Sequence, residues 1–243
     1  MPDRPYVLLS CAISLDGYLD DARPRRLRLS GPADLDRVDE VRATCDAILV
    51  GAGTVRKDNP RLLVRSPGRR QARRERGLPS SPLKVTLTGR AGLDPCSRFF
   101  ALGDVDKLVY CPATRAEETR RRLGGVATVV DAGEPLSLET LLDDLGRRGV
   151  RRLLVEGGGT THTQFLSQGL ADELHLAVAP IFVGDSRGRR WVDDGPLPWR
   201  DSARGTLLDT RPVGDVVLLR YALSARAAGL SGLRAVGRGE ESA

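Results

Sequence analysis

The stretch Leu153-Leu154-Val155-Glu156-Gly157-Gly158-Gly159-Thr160-Thr161 decides the fold class. An apolar run of the kind that forms a buried strand ends in one carboxylate, three glycines and two hydroxyl residues able to open a helix. Successive glycines let the backbone turn tightly and bring its N–H groups close to a ligand. A helix opening at Thr160 adds the partial positive charge of its N-terminus, which suits a phosphate or pyrophosphate. Glu156 then stands at a strand's C-terminal end, where open α/β sheets bind their ligands. Taken alone, the stretch fits a plain strand-to-helix turn equally well, because its glycine spacing is not a dinucleotide fingerprint.

Outward from this turn, short apolar runs alternate with helical ones. Tyr6–Ile13, Ala47–Val50, Lys84–Leu87, Lys107–Cys111, Val126–Val130 and Arg152–Val155 are strand candidates. Their near-continuous apolar character suits parallel strands covered on both faces. Pro32–Ala43 reads as a helix with Ser30 as cap, placing Leu35, Val38, Val41 and Arg42 near one face. Thr114-Arg115-Ala116-Glu117 reads as a capping box opening a helix to Leu123, stopped by Gly124-Gly125. Leu138, Leu141, Leu142 and Leu145 keep helical spacing until Gly146, and Thr160–Gln168 is the helix after the glycine turn, stopped by Gly169. From Asp172 onward the helices cease: Glu173–Pro180, Ala203–Leu208 and Val216–Leu223 read as strands. A mostly parallel sheet with antiparallel strands at one edge follows.

Composition bounds the function classes. A chain of 243 residues can form one full core, so a single domain over 1–223 is expected, with 224–243 a weakly ordered tail. No apolar run approaches the roughly 20 residues needed to span a bilayer. The start, Met1-Pro2-Asp3-Arg4-Pro5, lacks a signal-peptide pattern, so cytoplasmic residence is expected. Cys11, Cys45, Cys96 and Cys111 are irregularly spaced and only two histidines are present, which argues for reduced thiols and against a metal site. The net charge of +6 is almost all arginine, and the densest basic stretch, Arg61 to Arg76, holds seven arginines. It contains no aromatic residue for base stacking, so a solvated, partly mobile loop is expected there rather than a nucleic-acid patch.

Four segments together resemble one family. Ser14-Leu15-Asp16-Gly17 follows the first strand, and Asp46-Ala47-Ile48-Leu49-Val50-Gly51-Ala52-Gly53-Thr54-Val55-Arg56-Lys57-Asp58-Asn59-Pro60 spans the second. Val155-Glu156-Gly157-Gly158-Gly159 is the third, and the fourth is Gly169-Leu170-Ala171-Asp172-Glu173-Leu174, closed by Ala179-Pro180-Ile181-Phe182-Val183-Gly184. In order and spacing they resemble the pyrimidine reductase domain of riboflavin biosynthesis, over residues 4 to about 222. The resemblance implies the dihydrofolate-reductase-like α/β three-layer fold. It implies NADPH-dependent reduction of the ribosyl group of a phosphorylated aminopyrimidine to ribityl, in a homodimer, with no nucleic-acid, membrane or metal partner. Relatives fused to a zinc deaminase carry H-x-E and P-C-x-x-C motifs. Neither occurs here, so a stand-alone reductase is expected.

Residue roles carry over from the same resemblance. Ser14 matches the nicotinamide end, and Gly51, Gly53 and Thr54 open a short helix beside the cofactor. Gly158, Gly159, Thr160, Thr161, His162, Thr163 and Gln164 wrap the pyrophosphate. Thr88-Gly89-Arg90 matches the adenosine end, with Arg90 either the 2′-phosphate ligand or a plain surface arginine. Arg42 and Arg65 match positions that grip the substrate, Leu62 lines the same pocket, and Glu156 accepts N–H donors from the pyrimidine. Asp58 is the acid candidate beside the cofactor, although Asp58-Asn59-Pro60 is also good turn chemistry. Two segments depart from the family: Tyr18 replaces the usual basic residue after Ser-Leu-Asp-Gly, and Arg28-Leu29-Ser30-Gly31 replaces a Trp-Ile-Thr-Ser run. They leave open a second reading, reduction of a dihydropterin or another heteroaromatic on the same fold. A third, a basic nucleic-acid-binding module, rests only on the arginine-rich segment.

Overall fold

The six apolar runs become adjacent strands of one nine-stranded sheet in a computed structural model, which describes residues 4–23, 25–200 and 203–229. In chain order the elements are β1 (Tyr6–Ser14), β2 (Tyr18–Asp20), α1 (Pro32–Ala43), β3 (Ala47–Gly51), α2 (Ala52–Asp58), α3 (Pro67–Glu75), β4 (Leu83–Leu87) and α4 (Arg98–Ala101). Next come β5 (Lys107–Cys111), α5 (Ala116–Leu123), β6 (Thr128–Asp131), α6 (Leu138–Arg147), β7 (Arg152–Gly157) and α7 (Gly159–Ser167). The chain continues with β8 (Glu173–Ala179), β9 (Arg189–Arg190), β10 (Thr206–Val213) and β11 (Val216–Ala222). The strand order is β10-β11-β8-β1-β7-β3-β4-β5-β6, with β2 and β9 paired separately. All pairs from β8 to β6 are parallel, and β11 runs antiparallel to both β8 and β10.

Alternation along the strands sorts the core into two layers. Val7, Leu9, Ala47, Leu49, Leu153 and Val155 face α6 and α7, whereas Leu8, Ile48, Val50 and Leu154 face α2, α4 and α5. From β1 the chain crosses to β3 and leaves one slot, which β7 later fills; β8 then takes the opposite side of β1. The carboxyl ends of β1, β7 and β3 therefore form the switch point, the place where such sheets leave a crevice.

Several local expectations change. Gly31, not Ser30, is the N-cap of α1, because the Ser30 hydroxyl donates to Asp34 at 2.5 Å. In α5 the Thr114 hydroxyl donates to Glu134 instead of capping, and a 3₁₀ turn over Ala113–Arg115 starts the helix. The arginine-rich segment is ordered: Pro67–Glu75 is a helix, and Arg73, 1% exposed, donates to the carbonyls of Pro79, Ala43 and Cys45. Arg69 pairs with Asp36 and Asp39 of α1. The strand expected at Ala203–Leu208 lies at Thr206–Val213, an edge strand whose mostly exposed face and Pro212 leave little apolar signal. Residues 225–229 form a helical turn whose Ala227 packs with Tyr6 and Ala222; the rest of the expected tail, 230–243, lies outside the described residues.

A candidate active site at the switch point

A cavity of about 470 Å³ opens at the carboxyl ends of β1, β7 and β3. It is walled by α1, α2, the 26–30 segment and Arg189. At its centre Arg42 donates from Nε and Nη2 to the two carboxylate oxygens of Glu156, both at 2.6 Å. This two-pronged arrangement fixes both planes. Burial disfavours the Arg42 charge, but Glu156 beside it more than compensates, and its pKa is raised. Nη1 also holds the Leu63 carbonyl at 3.2 Å.

The expected glycines are explained by close approach. A Cβ on Gly51 would stand 2.5 Å from the Thr161 hydroxyl, so Gly51 lets α7 press against β3. Gly157 and Gly158 have φ of 151° and 82°, which disfavour any side chain, and a Cβ on Gly159 would overlap the Arg190 carbonyl. A Cβ on Gly53 would meet nothing within 4 Å, and Gly53 and Thr54 both line the cavity. The open space at Gly53, facing a cavity that Gly158 and Gly159 also line, fits a phosphate-bearing cofactor.

Of the residues singled out from the sequence, the cavity brings together Arg42, Gly53, Thr54, Asp58, Leu62, Glu156, Gly158 and Gly159. Asp58 ends α2 and pairs with Arg26 at 3.2 Å. Leu62 is buried with φ of 47°, on a loop where Asn59 also has positive φ. Thr160 lines a neighbouring cavity with Arg189, Arg190 and Asp193; its hydroxyl donates to Asp193 at 3.0 Å.

Others stand elsewhere. Ser14 is wholly buried; its hydroxyl donates to Asp16 at 2.5 Å and accepts the Tyr18 N–H at 2.9 Å, so it builds the β1–β2 turn. Arg65 is directed at Asp39 and the Leu35 carbonyl, outside the cavity. His162 is 0% exposed, and burial pushes its pKa down to about 4; a neutral ring walled in by core cannot reach a phosphate. Thr161 is buried under Gly51, Thr163 bonds the Gly159 carbonyl and the Asp193 N–H, and Gln164 is exposed beyond both cavities. The Thr88 hydroxyl closes a turn on Arg90, leaving Gly89 and Arg90 exposed after β4.

Sequence reasoning missed three contributors. Lys57 holds Asp20 at 2.5 Å in the cavity wall; one of only three lysines in an arginine-rich chain, it carried a signal. Arg37 lines the cavity from α1, a residue outside the apolar face read for that helix. Arg189 enters from β9, a two-residue strand without periodicity. Tyr18 does not face the cavity, since it is buried beneath the Arg190 guanidinium, 5.3 Å from its ring centre.

A mostly parallel sheet with this strand insertion and an antiparallel edge is the dihydrofolate-reductase-like fold. A narrower match follows: residues 5–219 fit the family model described as the RibD C-terminal domain, and the chain belongs to that family. A 2,5-diamino-6-ribosylamino-4(3H)-pyrimidinone 5′-phosphate reductase from Archaeoglobus fulgidus is 42% identical over 193 residues, covering 79% of this chain and 87% of its own. A protein of the same name from Methanothermobacter thermautotrophicus is 35% identical over 229 residues, covering 90% and 98%. Among solved structures, Acinetobacter baumannii RibD superposes with a TM-score of 0.73 at 26% identity; the match covers 90% of this chain and spans 58% of that protein. A pyrimidine reductase-like protein from Corynebacterium diphtheriae, TM-score 0.74 at 24% identity over 90% and 91% of the two chains, shares the fold. Among the described residues no helix is long and apolar enough to cross a membrane, no metal-holding cluster occurs, and all four cysteines are free.

Proposed function

We propose that the protein is an NADPH-dependent reductase that converts the ribosyl group of a ribosylaminopyrimidinone 5′-phosphate to ribityl. The observation that carries this reading is the Arg42–Glu156 pair at the switch point, beside the open glycine turn. The names of the Archaeoglobus and Methanothermobacter relatives support it and favour the diamino form of the substrate.

Each wall of the cavity has work to do. Glu156, fixed by Arg42, accepts side-by-side N–H donors from the aminopyrimidine edge. The backbone of Gly53, Thr54, Gly158 and Gly159 approaches the cofactor phosphates, and Arg189 offsets their charge. Arg90, exposed at the end of β4, is the residue for the 2′-phosphate. NADPH, when bound, supplies the hydride that reduces the sugar C1′. Reduction also consumes one proton, which arginine cannot release near neutral pH. Lys57 and Asp58, side by side at the end of α2, are the groups on this chain that can hold and deliver it. Edge strand β10, with Leu207 exposed, and its neighbour β11, with Val217 exposed, form the face for a homodimer in the cytoplasm. Nucleic acid has no part in this reading, because the arginines of α3 that bind most are spent on α1 and on backbone carbonyls. Of the two departures behind the pterin reading, Tyr18 lies outside the cavity and does not favour it, whereas Arg28, Leu29 and Ser30 line it.

The test is the loss of reduced-nicotinamide absorbance with freshly prepared diamino and monoamino ribosylaminopyrimidine 5′-phosphates, NADH serving as the cofactor comparison. Turnover with NADPH preferred is expected; NADPH oxidation with dihydrofolate but neither pyrimidine would refute the assignment.

A further inference from the structure

The cavity holds four arginines besides the cofactor-side Arg189, and three have fixed or outward positions. Arg42 is committed to Glu156, Arg26 reaches Asp58, and Arg28 is exposed at the rim. Arg37 differs. It is 7% exposed, yet it lines the cavity beside Ser10, Cys11 and Ala12 of β1. Its Nε donates to Asp34 at 2.7 Å, and Asp34 is held in turn by the Ser30 hydroxyl at 2.5 Å. Its Nη1 is buried with no hydrogen-bond partner.

A buried guanidinium N–H without an acceptor is unfavourable, and such a group marks a place that water, an ion or a ligand can complete. Asp34 takes only the Nε bond of Arg37 and leaves Nη1 without an acceptor. Cys11, half-buried on β1, feels the Arg37 charge, but desolvation pushes its pKa up to about 12, and a neutral thiol offers a cation only a weak acceptor. The charges around Arg37 also select the ligand: Asp34 offsets Arg37, whereas Arg28, exposed at the rim of the same cavity, has no carboxylate partner among the described residues. One surplus positive charge in the cavity that the Arg37 guanidinium lines fits a tetrahedral oxyanion better than a neutral carbonyl.

We propose that Arg37, oriented by the Ser30–Asp34 pair, is the buried anchor for the phosphomonoester of the substrate, with Arg28 closing over it from the rim. This rests on the reading above that the substrate is a sugar phosphate. It also relocates the phosphate grip, since Arg42 is held on Glu156 and the Leu63 carbonyl and Arg65 stands outside the cavity. The chemistry is shared by a ribosyl 5′-phosphate and by free inorganic phosphate, and the test separates them.

The full chain and its Arg37→Lys and Arg37→Met variants would be titrated with ribose 5-phosphate, inorganic phosphate and ribose, following Tm and equilibrium binding. Arg37→Lys keeps a charge for Asp34 but presents its donors from a single nitrogen without the guanidinium fork, so it is expected to fold even if the methionine variant does not. Ribose 5-phosphate is expected to raise the Tm of the parent, ribose is not, and Arg37→Lys should weaken sugar-phosphate binding about tenfold or more. In turnover, kcat/KM for the pyrimidine 5′-phosphate should fall by a similar factor through KM, with no such fall for the dephosphorylated pyrimidine. Sugar-phosphate binding by Arg37→Lys equal to that of the parent would overturn the proposal. So would an equal loss on the dephosphorylated substrate, or inorganic phosphate binding as tightly as ribose 5-phosphate. If the parent turns over neither pyrimidine yet its sugar-phosphate binding depends on Arg37, the reductase assignment fails and the anchor stands.

Discussion

Replacing Glu156 by Gln is the sharpest perturbation of the site, because it changes one atom and no volume. In the parent, both oxygens accept from Arg42 at 2.6 Å, and the pair is largely buried, with side-chain exposures of 17% and 12%. A glutamine amide can keep one of those bonds through its oxygen, but its NH₂ then faces the second arginine donor. The guanidinium is left with one buried donor unmet, and the pyrimidine edge meets a donor where it needs an acceptor. Loss of a charge-assisted hydrogen bond with an unmet partner costs about 2–3 kcal/mol. At about 1.4 kcal/mol per tenfold, that is roughly a 30- to 150-fold fall in kcat/KM. The folded state also loses stability, since one partner of a buried pair is gone, so far-ultraviolet circular dichroism and Tm accompany the kinetics. The assay is initial-rate loss of NADPH absorbance with the pyrimidine 5′-phosphate, alongside NADPH binding to the variant by fluorescence. NADPH affinity should stay within about threefold, because Glu156 is not part of the glycine cradle. Turnover within about threefold of the parent would refute the placement of Glu156 against the substrate.

Three further outcomes test the architecture. Arg73→Leu should destabilise the protein by about 3 kcal/mol, because it strands three carbonyls that now accept from a buried guanidinium, while Arg74→Leu on the exposed side should stay within about 0.5 kcal/mol in urea titrations. Gly51→Ala should lose about 1–3 kcal/mol and regain most of it in combination with Thr161→Ala, a double-mutant cycle that reads the close approach of α7 to β3 directly. His162, held near pKa 4 by burial, is neutral in the folded protein at pH 5, whereas the unfolded chain protonates it below about 6.5. Stability should therefore fall as pH drops from about 6.5 towards 4, by up to about 3 kcal/mol from this residue, and His162→Leu should flatten that part of the Tm-against-pH curve.

The parts legible from sequence were those in which apolar burial and backbone geometry agree. Strand β5 falls at Lys107–Cys111 as read, and α6 buries Leu138, Leu141, Leu142 and Leu145, the residues its spacing selects. The glycine turn was legible because Gly157 and Gly158 have φ that few other residues tolerate, and Gly51 and Gly159 stand where a Cβ would collide. What escaped was polar burial. α1 buries Asp34, Arg37 and Asp39, while Leu35 and Val38 stay only half-buried, the reverse of what an apolar-inside pattern implies. Asp39 explains the inversion: its carboxylate accepts the N–H groups of Arg65 and Ser66 and a bond from Arg69, so α1 docks on the next unit through charge.

The same mechanism accounts for the arginine-rich segment. Arginines at 69 and 73, one turn apart, lie on one side of a helix begun by Ser66 and Pro67, and that side meets Asp39 and the carbonyls after α1. Sequence statistics score such a segment as solvated because they weigh each arginine by its own hydration. The fold instead sets each guanidinium against acceptors contributed from roughly 30 residues away, which no local window contains. The consequence reaches the site: α1 is clamped at Asp36 and Asp39 by α3, and the same helix carries Arg37, within the clamped turn, and Arg42, in the next, into the cavity. The basic stretch thus acts on the chemistry by fixing the helix that carries both substrate-side arginines, and loosening it by Arg69→Ala should disturb both arginines together while leaving the glycine cradle of β7 and α7 in place.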